Sequence, residues 1–239
     1  MKRDTDFLPQ CVLCVAAHPD DLEFSVSGSV AKWVAAGAKV YYLICTDGSK
    51  GSDDRNITCQ ELTQIRRDEQ REAAKILGVA EVTFLDYEDG TVEATMDLKR
   101  DIVREIRRVK PDTVICFDPT MVYSVSRSFV NHADHRAVGQ ATLDAVYPLA
   151  RDHLSFPGLL EEGLEPHKTQ TLLMANFNQA NFAVDITSTF TTKLKALAAH
   201  DSQVTMDQTG GLVKEWAEAC GRHCKCQLAE GYVRLDLPA

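Results

Sequence analysis

The sequence predicts an α/β fold in which a mainly parallel sheet is flanked by helices on both faces. Two observations carry this. Short apolar runs alternate with longer amphipathic ones, the pattern of successive βαβ units. The short runs are also continuously apolar, as expected of parallel strands buried on both faces. The length agrees: 239 residues, 44% hydrophobic and 26% charged, suit a single domain over 1–239 with one sizeable core.

Taken in order, CVLCVAA (11–17) is the first buried strand. Residues 25–36 have a helical pattern that stops near Gly37. KVYYLIC (39–45), rich in β-branched and aromatic residues, is the second strand, and TDGSKGSDD after it is a loop by composition. Residues 59–77 form a helix ending at Gly78, with Arg and Glu on its outer face. EVTFLD (81–86) is the third strand, 96–109 a helix closed by Pro111, and TVICF (113–117) the fourth strand. A loop over 118–131 precedes a helix at about 135–151. QTLLMA (170–175) is a further strand and 187–200 a further helix. No repeat, low-complexity tract or linker divides the chain.

Charge narrows the partners. With 26 basic and 35 acidic residues the formal charge is −9. The basic residues are scattered, mostly as helix-surface pairs such as Arg66-Arg67 and Arg107-Arg108. Nucleic acid and anionic membrane are therefore not expected partners, since both need a basic patch. Met1 to Gln10 lacks the apolar run of a signal peptide, and no stretch approaches the roughly 20 apolar residues of a membrane span. The eight cysteines fit a reducing cytoplasm better than a disulfide framework. Cys11 and Cys14, three apart in a strand, face opposite sides and cannot share a metal. Cys45 and Cys116 read as small core residues. The cluster Cys220, His223, Cys224, Cys226 lacks the paired spacing of structural zinc sites.

Ligands of a parallel sheet gather beyond the carboxyl ends of its strands. The chemistry-bearing residues fall there: His18 to Asp21 after the first strand, Thr46 and Asp47 after the second, Asp86 to Asp89 after the third, Asp118 after the fourth, and His132 to His135 at the end of the following loop. In His18-Pro19-Asp20-Asp21, an imidazole and a carboxylate three apart can point the same way across one turn and supply part of a zinc shell. Asp20 would then lie beside the metal and could take a proton from water. Alternatively, the two acids merely cap a helix, with Pro19 at an early helical position. In His132-Ala133-Asp134-His135, His135 can be a third ligand. His132 can be a proton donor to the leaving nitrogen or the oxyanion, with Asp134 pairing with it and keeping it protonated. Both histidines can equally be plain surface residues.

AHPDDLEF followed by NHADHRAVGQA closely resembles the PIG-L/LmbE family of N-deacetylases. TDGSKGS, IRRDEQREAAKILGV, VKPDTVI, LEEGLEPHK and LAAHDSQV are similar to family segments in the same order. The resemblance implies a single Rossmann-like domain and one Zn2+ per chain held by His18, Asp21 and His135. It implies Asp20 as general base and His132 as general acid or oxyanion donor with Asp134 as its partner. Arg66 and Asp89 match positions that bind substrate, although Arg66 can simply pair with Glu69 or Glu61, and Asp89 can simply turn with Gly90. The implied substrate is a small-molecule amino-sugar conjugate carrying an N-acetyl group, and the implied assembly is a homo-oligomer. An amidase acting on another small amide, such as a thiol conjugate, and a non-catalytic metal-binding module are the alternatives. A nucleotide-binding role is disfavoured, because the first turn lacks the glycines that let a pyrophosphate approach. Ala133 replaces a usual proline, and Val130 stands where some members carry a tyrosine, so that Tyr123 or no residue supplies that contact. His200 is either a structural histidine bonded to backbone or part of the site. His153, His167 and His223 are read as surface residues.

Overall fold

Every side chain of Val12–Ala16 is fully buried, and the strand they belong to lies inside the sheet of the computed structural model, which describes residues 2–3, 7–125 and 128–238. The polar segment 1–10 and the loop 118–131 fall partly outside the described residues. In chain order the strands are β1 (Lys2–Arg3), β2 (Cys11–Ala16), β3 (Lys39–Thr46), β4 (Glu81–Tyr87), β5 (Thr113–Phe117), β6 (Tyr123–Ser124), β7 (Phe129–Val130), β8 (Thr171–Ala175), β9 (Phe182–Asp185) and β10 (Ala229–Asp236). The helices are α1 (Asp21–Ser25), α2 (Ser27–Ala35), α3 (Cys59–Leu77), α4 (Met96–Val109), α5 (Ala133–Asp144), α6 (Gly158–Glu161), α7 (Phe190–Leu197) and α8 (Met206–Cys224).

The main sheet has the order β1-β9-β10-β8-β5-β2-β3-β4, and β6 pairs with β7 as a separate hairpin. The run β4-β3-β2-β5-β8 is parallel throughout. Only β10 is antiparallel to its neighbours β8 and β9. After the short edge strand β1, the chain passes to β2, winds outward to β3 and β4, then crosses back to β5 and β8. Strand order reverses between β2 and β5, where an open α/β sheet forms its ligand crevice.

Strand parity sends alternate side chains to two cores. Val12, Cys14 and Ala16 pack on one face with residues of α2, α3, α7 and α8. Leu13, Val15 and Ala17 pack on the other with α4 and α5. Cys11 shares the second side, its Sγ lying 3.6 Å from the Val109 carbonyl. Cys224, Ala183 and Ala229 form a small third cluster, with Cys220 and Cys226 packed against it.

Several boundaries differ from the sequence reading. The helix expected over 25–36 is α2, Ser27–Ala35, and a separate short helix, α1, precedes it with the break at Val26. The helix expected to 151 ends regularly at Asp144 and continues as a wider turn over Ala145–Leu149, around Pro148. The pairs Arg66-Arg67 and Arg107-Arg108 are not surface pairs. Neighbours on a helix point about 100° apart, so one of each turns inward: Arg66 and Arg107 are buried. Among the described residues no helix is long and apolar enough to cross a membrane.

Candidate metal centre

Beyond β2 the chain turns through Pro19 and Asp20 into α1. Asp20 makes that turn at φ 97°, a left-handed conformation that costs energy for a residue with a Cβ. Its N–H donates to Gln70 Oε1 at 3.0 Å, which holds the turn. Although Asp20 is the N-cap residue of α1, its side chain makes no capping bond. Capping therefore does not account for this carboxylate. Pro19 lies before the cap and outside the helix.

Asp21 is held from behind. Its Oδ2 accepts the N–H groups of Ala17 and His18 at 3.1 and 2.8 Å, while Oδ1 lies 2.9 Å from His135 Nε2. His18 Nδ1 is 3.2 Å from the same His135 nitrogen and 3.5 Å from Asp21 Oδ2. These three residues form a group whose donor atoms lie within 4.8 Å of one another. A tetrahedral ion with bonds of about 2.0–2.1 Å requires its ligand atoms to stand about 3.3–3.4 Å apart; the two imidazole nitrogens, 3.2 Å apart, come close to that, and Asp21 turns Oδ1 to one ring and Oδ2 to the other.

The outer nitrogens fit as well. His18 Nε2 faces Asp89 Oδ1 at 3.1 Å and Asp134 Oδ2 at 3.3 Å. His135 Nδ1 faces Asn131 Oδ1 at 3.0 Å, and its ring stacks on Phe117 at 4.6 Å. Each imidazole can thus donate its outer N–H to an oxygen and turn a bare nitrogen to the shared centre, as metal-bound histidines do. The residues present fit a single divalent ion.

Charges agree with this. Burial opposes protonation of His18, but Asp21, followed by hydrogen bonds to Asp134, Asp21 and Asp89, pushes its pKa up to about 12. The surrounding carboxylates thus favour positive charge at this point. Burial opposes ionisation of Asp21, and His135 and His18 overcome it, so this carboxyl is held well below its ordinary value. Asp20 is shifted upward by burial and by the Asp21 charge, against Arg66, His200 and His18.

The second motif is placed by α5. His132 is the N-cap residue, and its Nδ1 accepts the Asp134 N–H at 3.2 Å. The expected pairing of Asp134 with His132 is present only as a long contact, and the closer partners of Asp134 lie elsewhere. Residues two apart at a helix start do not face one another. Asp134 Oδ2 goes to His18 and to the Gly90 N–H at 2.7 Å, while Oδ1 stops 3.9 Å from His132 Nδ1. Nor is His132 kept protonated: burial, then the charge on His18, lowers its pKa despite Asp134. With Nδ1 accepting, the neutral ring carries its proton on Nε2.

Arg66 and Asp89 are also turned inward. Arg66 pairs with neither Glu61 nor Glu69. Its Nη1 donates to the Gly48 and Lys50 carbonyls at 3.2 and 3.1 Å, and its Nη2 to Pro19 O at 2.8 Å. A carboxylate oxygen of Asp20 lies 3.5 Å from Nη2. Arg66 therefore ties the loop after β3 to the turn after β2, with its head buried. Asp89 is buried, with Oδ2 on the Lys50 N–H at 3.0 Å and Oδ1 on His18.

Four participants were not identified from sequence. Asn131 orients His135. Phe117 backs it. Gln70 fixes Asp20, and Glu23 accepts from Gln70 Nε2 at 3.1 Å and faces His200 Nε2 at 3.2 Å. His200 is thus fully buried against a carboxylate, and backbone is not the partner of that nitrogen. Arg66 and Gln70 are four apart on α3, so one helix face serves both; that spacing was the available signal. Tyr123 sits opposite Val130 across the β6–β7 hairpin. His153 and His223 are exposed, while His167 is half-buried with Nε2 2.7 Å from Pro111 O.

Fold and site together define a doubly wound α/β protein with a His/Asp/His cluster, able to hold a metal, at its strand-order switch. The chain belongs to the PIG-L family: the family model described as "PIG-L: GlcNAc-PI de-N-acetylase" matches residues 13–146. Among curated relatives, the diacetylchitobiose deacetylase of Thermococcus kodakarensis is 34% identical over 203 residues, covering 82% of this chain and 71% of the relative. A 1D-myo-inositol 2-acetamido-2-deoxy-alpha-D-glucopyranoside deacetylase of Rhodococcus erythropolis is 28% identical, covering 83% of each. Among solved structures, the N,N'-diacetylchitobiose deacetylase of Pyrococcus horikoshii superposes with a TM-score of 0.88 at 28% identity, over 95% of this chain and 84% of that one.

Proposed function

We propose that this protein is a metal-dependent hydrolase that removes the acyl group from the nitrogen of an N-acylglucosamine-type conjugate. One observation carries the reading: His18 Nδ1, His135 Nε2 and Asp21 converge on one point, with Asp20 beside them in a strained turn. One Zn2+ per chain is the proposed ion. When bound, such an ion supplies Lewis acidity, polarising the amide carbonyl and making water more acidic.

The chain's own groups do the rest. Asp20, not needed as a ligand or a cap, takes the proton of the attacking water. His132, half exposed at the start of α5, donates from Nε2 to the oxyanion that develops on the carbonyl oxygen. Asp20 then holds the proton that the departing amine requires and returns it. Asp89 and Asp134 keep His18 in one tautomer, and Asn131 does the same for His135. Arg66 holds the Asp20 turn. The deacetylase relatives support the substrate class, a small-molecule amino-sugar conjugate.

The test is free amine release from a panel of N-acetylglucosamine conjugates, using chelator-stripped protein with and without added zinc. Release that needs the metal is the expected result. Stoichiometric metal binding with no cleavage of any conjugate would assign the site to another amide or to a binding role.

A further inference from the structure

A cavity of about 420 Å³ opens directly from the metal centre, with Asp20, Asp21 and His135 in its wall. It runs past the ends of β5, β8 and β10 and under α7 and α8. An acetyl methyl needs about the space of one water molecule, roughly 30 Å³, so the cavity far exceeds the demands of deacetylation.

Its lining is mostly apolar. Phe24, Phe117, Phe129, Phe177, Val213 and Trp216 supply much of the wall. Apart from His223, which is exposed at the rim, the polar side chains inside it are engaged within the protein. Lys193 Nζ donates to Glu230 Oε1 at 2.6 Å and to Phe24 O at 2.9 Å. Glu230 also accepts from Ser29 N–H and Oγ. Ser25 Oγ donates to Asp21 O, and Asn131 bridges Met121 O and His135. A sugar placed here would bury hydroxyls against groups already committed, each unmatched one costing affinity. A hydrocarbon chain would not.

The direction of the substrate follows. His132, which serves the reacting carbonyl, is half exposed and is not among the residues that line this cavity. The polar amine-bearing part therefore faces the open side, and the carbonyl's other substituent faces the cavity. We propose that the cavity receives the acyl chain of the substrate, and that this hydrolase acts on glucosamine conjugates with N-acyl chains of medium length in preference to acetyl. The inference rests on the hydrolase reading above.

The test is kcat/KM for amine release from N-acetyl, N-butanoyl, N-hexanoyl and N-octanoyl glucosamine by the zinc-loaded protein. In parallel, octanoate, the acid product of the longest member, is titrated against tryptophan fluorescence. Trp33 is buried away from the cavity, so Trp216→Phe identifies the reporting residue. Full burial is worth about four-fold per methylene; a rise of at least about ten-fold from acetyl to octanoyl, with saturable quenching by octanoate that is lost in Trp216→Phe, is expected. Ala180→Phe and Ala217→Phe, each filling the cavity from a different wall, should lower the octanoyl-to-acetyl ratio; the loop position Ala180 guards against a folding defect in the α8 variant. Cleavage of N-acetylglucosamine that falls steadily with chain length, without an octanoate response, overturns the inference and leaves the hydrolase reading intact. Octanoate binding with no amine released from any member overturns both, leaving only a chain-binding cavity.

Discussion

The fully buried carboxylate of Asp134 lies 3.3 Å from His18 Nε2 but 3.9 Å from His132 Nδ1. It belongs to the support of His18, the proposed metal ligand. Asp134→Asn is expected to weaken zinc binding about 10- to 100-fold in calorimetric titration, as losses behind a ligating histidine do. His132→Ala should bind zinc as the wild type does and lose about 10²- to 10³-fold in kcat, the usual loss for an oxyanion donor. Equal zinc affinity in both variants with matching losses in kcat would return Asp134 to His132.

Arg66 offers a second discrimination. Its guanidinium donates to three backbone carbonyls in a buried setting. Arg66→Met keeps the volume but leaves those acceptors unpaired, and should destabilise the fold by more than about 2 kcal/mol in urea unfolding. A raised KM with unchanged stability would make Arg66 a substrate residue instead.

The parallel strands were legible because each is an apolar run bounded by turn residues, and the first histidine motif because its donors are local. What was missed depends on distance or weak pattern. β9 is four residues long, β10 carries the buried Glu230 and Gly231, and α8 contains Gly210 and Gly211, which depress helical propensity. Asp134 was assigned to its neighbour in sequence, whereas its partner His18 lies 116 residues away. Glu23 and His200, 177 residues apart, meet only once α1 packs on α7.

Gly139 gives a test of how closely α5 sits on the sheet. A Cβ there would lie 2.5 Å from the Phe117 carbonyl oxygen. Alanine ordinarily favours a helix over glycine by about 1 kcal/mol. Here Gly139→Ala should instead lower stability by about 1–3 kcal/mol through overpacking, and should weaken zinc binding because His135 moves with α5. Thermal unfolding with and without zinc checks both; a more stable variant would show that the contact yields.

His200 makes stability depend on pH. Burial works to lower its pKa, but the hydrogen bond and charge of Glu23, with Asp20 and Glu69 nearby, raise it overall. A raised folded pKa gives a contribution that is full below the unfolded value of about 6.5 and is lost as pH climbs through the folded value. The stability gap between wild type and His200→Gln should therefore narrow from pH 6 upward in urea unfolding. A gap that widens with pH would mean that His200 is buried neutral.

The most direct test of the central claim measures metal content and amine release together in the wild type and Asp20→Asn. One zinc per chain is expected in both proteins, with turnover reduced by about 10²- to 10⁴-fold in the variant. Near-normal turnover in Asp20→Asn, or a wild type that hydrolyses its substrate equally well after the metal has been stripped, would contradict the account.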